Sequence, residues 1–147
     1  KFDKYTDTLL YLAARNEHIK DKIRPALKNK KIVICDRFTD STLAYQVYGK
    51  KVKASFISNI HKHILKDIKP NITFILKVSP KASMDRLKKR KTKNRYDNFS
   101  KSFYTQAQKS FLKIAKNKKN YFVLDSSKNN SNLENKIFGI VSKHLNI

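Results

Sequence analysis

Short apolar runs alternate with long helical patterns along this chain, and that alternation constrains its fold most. Residues 32–35, 72–78 and 121–124 are apolar runs of strand length. Because long helical stretches separate them, the connections must be crossovers, which join parallel strands. The sequence therefore predicts an α/β fold in which helices cover a largely parallel sheet.

Capping residues mark where several helices begin. Ser79 and Pro80 favour a helix start directly after the second apolar run. Further helices are expected from around Asn98 and over residues 133–145, where apolar residues recur at helical spacing. The polar segment 91–98 lacks this periodicity and predicts a loop.

The helix at the start of the chain has two different sides at about 100° per residue. Its apolar side comprises Tyr5, Leu9, Leu12, Ala13, Ile19 and Ile23. Its opposite side comprises Asp7, Tyr11, Arg15 and His18, which taken alone is most simply a solvated face. Pro25 cannot donate an interior hydrogen bond, so the helix should kink or restart near Arg24.

Residues 35–46 place an Asp-Arg pair directly after the first predicted strand. Thr39, Asp40 and Ser41 are good N-cap residues for the helix that follows. An arginine beside a helix N-terminus suits a phosphate, and open parallel sheets bind ligands at the carboxyl ends of their strands. On these residues alone, an ordinary strand-to-helix turn remains the alternative.

Composition narrows the functional classes. The single cysteine, Cys35, cannot form an internal disulfide and suits a reducing cytoplasm. The sequence contains no run of about 20 apolar residues, so it predicts no membrane span. The net charge of +23 is scattered along the chain, which favours incidental surface charge. A basic nucleic-acid-binding domain stays open as an alternative.

The motif in residues 35–46 resembles the Asp-Arg-Tyr/Phe-x-Asp-Ser-Thr-x-Ala-Tyr-Gln signature of thymidylate kinases, which phosphorylate dTMP with ATP. Segments 11–18, 23–27, 78–80, 94–97 and 124–125 are similar to further family motifs, in the family's order. The resemblance implies a three-layer fold of the P-loop nucleoside-monophosphate-kinase type. It also implies one domain over residues 1–147, with a lid at about 88–98. A different nucleoside or nucleotide kinase of the same fold is a second alternative, which is closer to this family than a nucleic-acid-binding domain.

The family's phosphate-binding loop, Gly-x-x-x-x-Gly-Lys-Ser/Thr, has no counterpart here. The two glycines, Gly49 and Gly139, begin no such loop. We therefore expect the chain to be the C-terminal part of a longer enzyme, without the N-terminal strand and P-loop, and inactive on its own.

The resemblance implies a dTMP site in the first half of the chain. Tyr11 matches the aromatic residue that stacks on thymine, and Arg15 matches the arginine that donates to a base carbonyl. Thr42 and Gln46 match residues that hydrogen-bond the base edge, and Ser41 belongs to the same substrate-binding set.

The sugar and phosphate contacts are also implied by the resemblance. Tyr45 matches the tyrosine that crowds the 2′ position and favours deoxyribose. Arg37 matches the arginine that holds the acceptor phosphate, and Asp36 lies where the family places a carboxylate near Mg²⁺ and its waters. Arg37, Asp36 and Arg95 are the expected catalytic residues.

The donor side is expected in the second half. Arg86, Arg90 and Arg95 match arginines that lead into the lid or lie within it, and Arg95 is the favoured lid contact. Asp125 and Ser126 lie in the loop that meets the adenine end of ATP in the family. The family further implies a homodimer. From the composition alone we expect no membrane and no specific nucleic acid as partners.

Overall fold

The computed structural model describes residues 2–89, 100–127 and 131–147. They form two compact units, which meet in sequence between Lys69 and Pro70. The helical segments of the first unit are α1 (Lys4–His18), a π-helical turn (Ile19–Ile23), α2 (Arg24–Lys28), α3 (Thr39–Thr42), a π-helical segment (Leu43–Gly49) and α4 (Ala54–Leu65). The elements of the second unit are β1 (Thr73–Lys77), α5 (Pro80–Lys88), α6 (Lys101–Ala115), β2 (Tyr121–Asp125) and α7 (Ser131–Leu145).

Helix α1 packs against α4 in the core of the first unit. Asp3 caps α1 by accepting hydrogen bonds from the amides of Tyr5 and Thr6. Leu12, Val52 and Ile57 form the buried cluster between the elements. The rings of Tyr5 and Phe56 meet edge to face, with 5.2 Å between their centroids. This packing fixes which residues of α1 and α4 come close together.

The expected sides of the first helix are only partly right. Leu12, Ile19 and Ile23 are buried, but Leu9 is 47% exposed. Asp7, assigned to the polar side, is buried and forms an ion pair with Lys50. The angular pattern cannot anticipate this, because a lysine 43 residues away supplies the partner. The expected interruption near Arg24 is confirmed, since a π-helical turn ends there and α2 begins.

The first predicted strand, residues 32–35, is not a strand in the structure. A strand is held by ladder hydrogen bonds to a neighbour, and none of residues 2–89, 100–127 or 131–147 pairs with this run. Ile34 is consequently 95% exposed. The β-branched residues give the run strand propensity, but pairing decides whether a strand forms.

The second unit contains the predicted parallel sheet. β1 and β2 pair in parallel, with Thr73 opposite Tyr121 and Lys77 opposite Asp125. Helix α6 contacts both strands and buries Ala107. Crossover helices separate the strands, so the predicted α/β class with parallel pairing is confirmed.

Capping explains where the helices of the second unit begin. The Ser79 hydroxyl accepts a hydrogen bond from the Ala82 amide at 3.2 Å at the start of α5, as expected. The Ser100 hydroxyl accepts one from the Phe103 amide at 3.3 Å at the start of α6. Asn98, the expected start, and the loop 91–98 lie outside the described residues. Within the described part of the chain, no helix has the length and apolar character needed to cross a bilayer.

Candidate functional site

Arg15 lies at the centre of a polar cluster in the first unit. Its Nη1 donates to the Thr42 hydroxyl, and its Nη2 donates to the Phe38 carbonyl at 2.9 Å. Its guanidinium carbon lies 5.4 Å from the centre of the Phe38 ring, which is a cation–π distance. The side chain is therefore fixed against both ends of α3, at Phe38 directly before it and at Thr42, its last residue.

Helix α4 contributes His61 to the same cluster. Its Nε2 lies 3.3 Å from Nη1 of Arg15. On α1, Arg15 lies three positions after the core residue Leu12. On α4, His61 lies four positions after the core residue Ile57. The packing of α1 on α4 therefore brings Arg15 and His61 together. A guanidinium only donates, so the contact requires an unprotonated Nε2 with the ring proton on Nδ1.

The electrostatics favour that neutral ring. Burial, followed by the charge of Arg15, lowers the pKa of His61 to about 4. Burial also lowers the pKa of Arg15, but an arginine stays charged throughout the physiological range. The pair is thus a charged donor and a neutral acceptor at physiological pH.

Acidification from about pH 7 to about pH 5 is expected to destabilise the protein through His61. The unfolded ring, with a pKa of 6.5, binds a proton that the folded ring takes up only near pH 4. Stability from this group is therefore complete above pH 6.5 and is lost as the pH falls towards 4. We expect a loss of about 1 kcal/mol for a ring that is only half-buried.

Urea unfolding at the two pH values measures this loss, with His61→Gln as the variant that lacks a titrating ring. The variant should lose less stability on acidification than the wild type. Equal losses in the two proteins would contradict the assignment.

The residues assigned to the base edge differ in exposure. Thr42 and Gln46 are buried, whereas Ser41 is half-buried. The Thr42 hydroxyl accepts from Arg15 and keeps its own hydrogen to donate. Tyr11 lies one turn before Arg15 on α1 and is 36% exposed, so a ligand can reach its ring.

Arg37 and Tyr45 form a second pair in this unit. Nη1 of Arg37 donates to the Tyr45 hydroxyl at 3.0 Å, and the guanidinium carbon lies 5.4 Å from the ring centre. Arg37 has a φ of 63°, which few non-glycine residues adopt. Such strained residues occur preferentially at functional sites. Both Arg37 and its neighbour Asp36 are exposed.

Arg86 on α5 reaches the loop that follows β2 in the second unit. Its Nη2 donates to the Ser126 carbonyl at 2.6 Å and to the Ser127 carbonyl at 3.3 Å. The Ser126 amide donates to the Lys77 carbonyl at 2.7 Å and joins the loop to the end of β1. The Asp125 carboxylate accepts hydrogen bonds from Ser127, and the hydrogen bonds from Ser127 lower the pKa of Asp125.

Three of the expected donor-side residues, Arg86, Asp125 and Ser126, therefore come together. They meet at the carboxyl ends of two parallel strands, where open α/β sheets bind their ligands. The remaining two, Arg90 and Arg95, lie outside the described residues, as does the lid beyond Lys89.

Sequence reasoning missed two members of the Arg15 cluster, Phe38 and His61. Phe38 lies within the motif, but its contribution is a backbone carbonyl, which side-chain identity does not reveal. For His61 a signal exists. It stands between Ile57 and Ile64 at helical spacing, so a histidine occupies the apolar stripe of α4.

Comparisons with known proteins agree with one another. The family model described as thymidylate kinase matches residues 1–137. The thymidylate kinase of Onion yellows phytoplasma (strain OY-M) is 40% identical over 139 residues, which cover 92% of this chain and 67% of the relative. That of Wolbachia pipientis subsp. Culex pipiens (strain wPip) is 41% identical over 145 residues, or 96% of this chain and 68% of the relative.

A solved structure gives the same result for the fold. The crystal structure of thymidylate kinase from Ehrlichia chaffeensis matches with a TM-score of 0.73 and 29% identity, covering 95% of this chain and 67% of that one. The chain thus spans about two thirds of the length of these proteins. The predicted fold of the P-loop kinase type is confirmed by this likeness.

Proposed function

The chain belongs to the thymidylate kinase family, a family of phosphotransferases, and from this premise we propose that it phosphorylates dTMP to dTDP with Mg-ATP as donor. The observation that carries the proposal is the anchored guanidinium of Arg15. Three of its five N–H donors bind Thr42, Phe38 and His61. Among the described residues no partner takes the other two, which are left for a ligand carbonyl.

Base selection is proposed to come from buried polar groups. The Thr42 hydroxyl hydrogen and the Gln46 amide can pair with a pyrimidine edge, and Tyr11 is accessible for stacking. A site of this kind discriminates strongly, because a base that leaves such groups unpaired loses their hydrogen bonds. Ser41 is proposed to complete the substrate-binding set.

Arg37 is proposed to hold the acceptor phosphate. Phosphoryl transfer depends mainly on positioning and on cations around the phosphate oxygens, and a guanidinium fork matches a phosphate in two hydrogen bonds. Asp36 fits Mg²⁺, a hard cation that proteins commonly hold with one or two carboxylates plus substrate phosphates. When bound, the ion supplies neutralisation of the phosphate charge.

The donor side is proposed to lie in the second unit. Arg86 holds the loop that contains Asp125 and Ser126, so it shapes the place proposed for the adenine end of ATP. Arg90 and Arg95 are proposed as lid residues, with Arg95 nearest the transferred phosphate.

Tyr45→Ala is expected to relax the exclusion of ribonucleotides, because the ring is proposed to crowd the 2′ position. The preference for dTMP over its ribose analogue should fall about tenfold. Tyr45→Phe is the matched variant, since it keeps the ring and removes only the hydroxyl that accepts from Arg37. The ratio of the two kcat/KM values measures the effect. An unchanged ratio in Tyr45→Ala would remove Tyr45 from sugar selection.

The proposed function is tested with a panel of acceptors. The full-length protein is incubated with Mg-ATP and with dTMP, dUMP, dCMP or UMP, and formation of the diphosphate is followed. We expect dTMP to be preferred by at least about tenfold. Equal use of several acceptors would favour another nucleotide kinase of the same fold, and no transfer to dTMP would refute the proposal.

The assembly proposed is a homodimer in the cytoplasm. Two large residues of α1, Leu9 and Leu10, are 47% and 51% exposed side by side, which supports an interface on this helix. The free thiol of Cys35 supports a reducing compartment. Light scattering of the purified protein tests the dimer, and a monomer across the concentration range would contradict it.

A further inference from the structure

His61 contacts Arg15 from a helix that carries none of the residues assigned to the dTMP site. We propose that His61 is a positioning residue, which sets the affinity for the acceptor nucleotide by accepting a hydrogen bond from Arg15. The inference rests on the proposed function, because it takes dTMP to bind at Arg15. It adds a residue that the motif of residues 35–46 does not contain.

The geometry shows what His61 adds to the other contacts. The Phe38 carbonyl and the Thr42 hydroxyl both come from the short segment 38–42, on one side of the guanidinium. His61 comes from α4, and its Nε2 lies 3.3 Å from Nη1. Together the three acceptors hold the guanidinium plane from two different elements. Without His61, the guanidinium is held from the segment 38–42 alone, by Thr42 and Phe38, and no contact from α4 fixes the side of Nη1 that faces that helix.

The chemistry of the acceptor also matters. A carboxylate at this position would pair with Arg15 bidentately and neutralise it. A neutral imidazole orients the guanidinium and leaves its charge and its other donors to the ligand. Burial of the ring beside a cation keeps it neutral, since protonation would remove the acceptor and place two positive charges together. Arg15 is thereby preorganised, which lowers the ordering cost of binding.

His61→Asn and His61→Gln are the matched test. Both carry an amide oxygen, but only the longer glutamine places it where Nε2 lies, within reach of Arg15. We expect His61→Asn to raise the KM for dTMP about tenfold with kcat within about twofold, and His61→Gln to stay within about threefold of the wild-type KM. His63→Ala, an exposed histidine on the same helix, should leave both constants unchanged.

Binding of dTMP in an Arg15→Ala background tests whether His61 acts through Arg15. Calorimetry should show no further weakening when His61→Asn is added, because the two effects are coupled. An unchanged KM in His61→Asn, an equal rise in His61→Gln, a loss confined to kcat, or an additive effect in the double variant would each overturn the inference.

Turnover of dTMP by the wild-type full-length protein is measured first. Its absence would refute the proposed function itself, whereas a failed pattern among variants of an active enzyme would refute only the role of His61. Thermal unfolding of each variant is recorded alongside. If the KM values of the variants rose in proportion to their loss of thermal stability, and not according to whether the amide oxygen reaches Arg15, the result would contradict a positioning role for His61.

Discussion

Replacing Arg37 with alanine is expected to lower kcat/KM for dTMP phosphorylation about a thousandfold. The guanidinium is proposed to hold the acceptor phosphate in line with the transferred group, and nothing in alanine replaces that contact. The fold should be retained, because Arg37 is exposed and alanine meets a similar backbone penalty at the φ of 63°. Steady-state kinetics of the full-length protein measure the loss, and circular dichroism checks the fold.

Two variants separate a functional loss from a structural one. Arg37→Lys keeps the charge but loses the fork, so it should recover only part of the activity. Arg24→Ala removes an arginine that also bonds within the first unit, to Asp67 and to the Leu65 carbonyl, each at 3.0 Å, but that is assigned no substrate contact. It should turn over dTMP normally. Near-normal activity of Arg37→Ala would remove Arg37 from the mechanism.

Replacing Asp7 with asparagine is expected to lower the free energy of unfolding by about 3 kcal/mol. Asp7 is 1% exposed and pairs with Lys50, whose side chain is 15% exposed. The substitution keeps the shape of the side chain but leaves the lysine charge in a poorly solvated place without its counter-charge. Because the pair joins α1 to the segment after Gly49, the loss should lower the stability of the first unit as a whole.

Urea unfolding measures the effect of Asp7→Asn, with Asp21→Asn as its matched control. Asp21 is also an aspartate paired with a lysine in the first unit. Its side chain, however, is 54% exposed, and its carboxylate lies 3.9 Å from the Lys20 ammonium. Such a surface pair contributes about 0–1 kcal/mol. If Asp7→Asn destabilised no more than Asp21→Asn, the buried pair would have no special role in stability.

The second unit could be predicted well from the sequence because its signals are local. The apolar runs give β1 and β2, and Ser79 gives the start of α5, since a cap acts within one turn. Residues 32–35 carry the same apolar signal without forming a strand. Strand formation depends on a neighbour, which the run itself does not encode.

The first unit shows where helical periodicity stops being informative. The pattern correctly buries Leu12, but it assigns Asp7 to solvent and Leu9 to the core. The burial of Asp7 depends on Lys50, and such a long-range charge pair leaves no trace in the local pattern. Which residues of an amphipathic helix are buried is decided by the partner element as well as by the helix.

The residues of the candidate site could be predicted where the family motifs contain them. They could not be predicted where a residue outside those motifs, on another helix, contacts them. Arg15 and Thr42, named from the resemblance, do contact each other. The roles assigned to them towards a nucleotide remain predictions. His61 reaches Arg15 only because α4 packs on α1, so its part depends on tertiary structure, although its place in an apolar stripe could have drawn attention.

A crystal structure of the full-length protein with dTMP tests the central claim most directly. The account predicts that a base carbonyl accepts a hydrogen bond from Arg15, that the ring of Tyr11 lies on the base, and that the phosphate contacts Arg37. A nucleotide bound away from Arg15, or a phosphate held without Arg37, would contradict it.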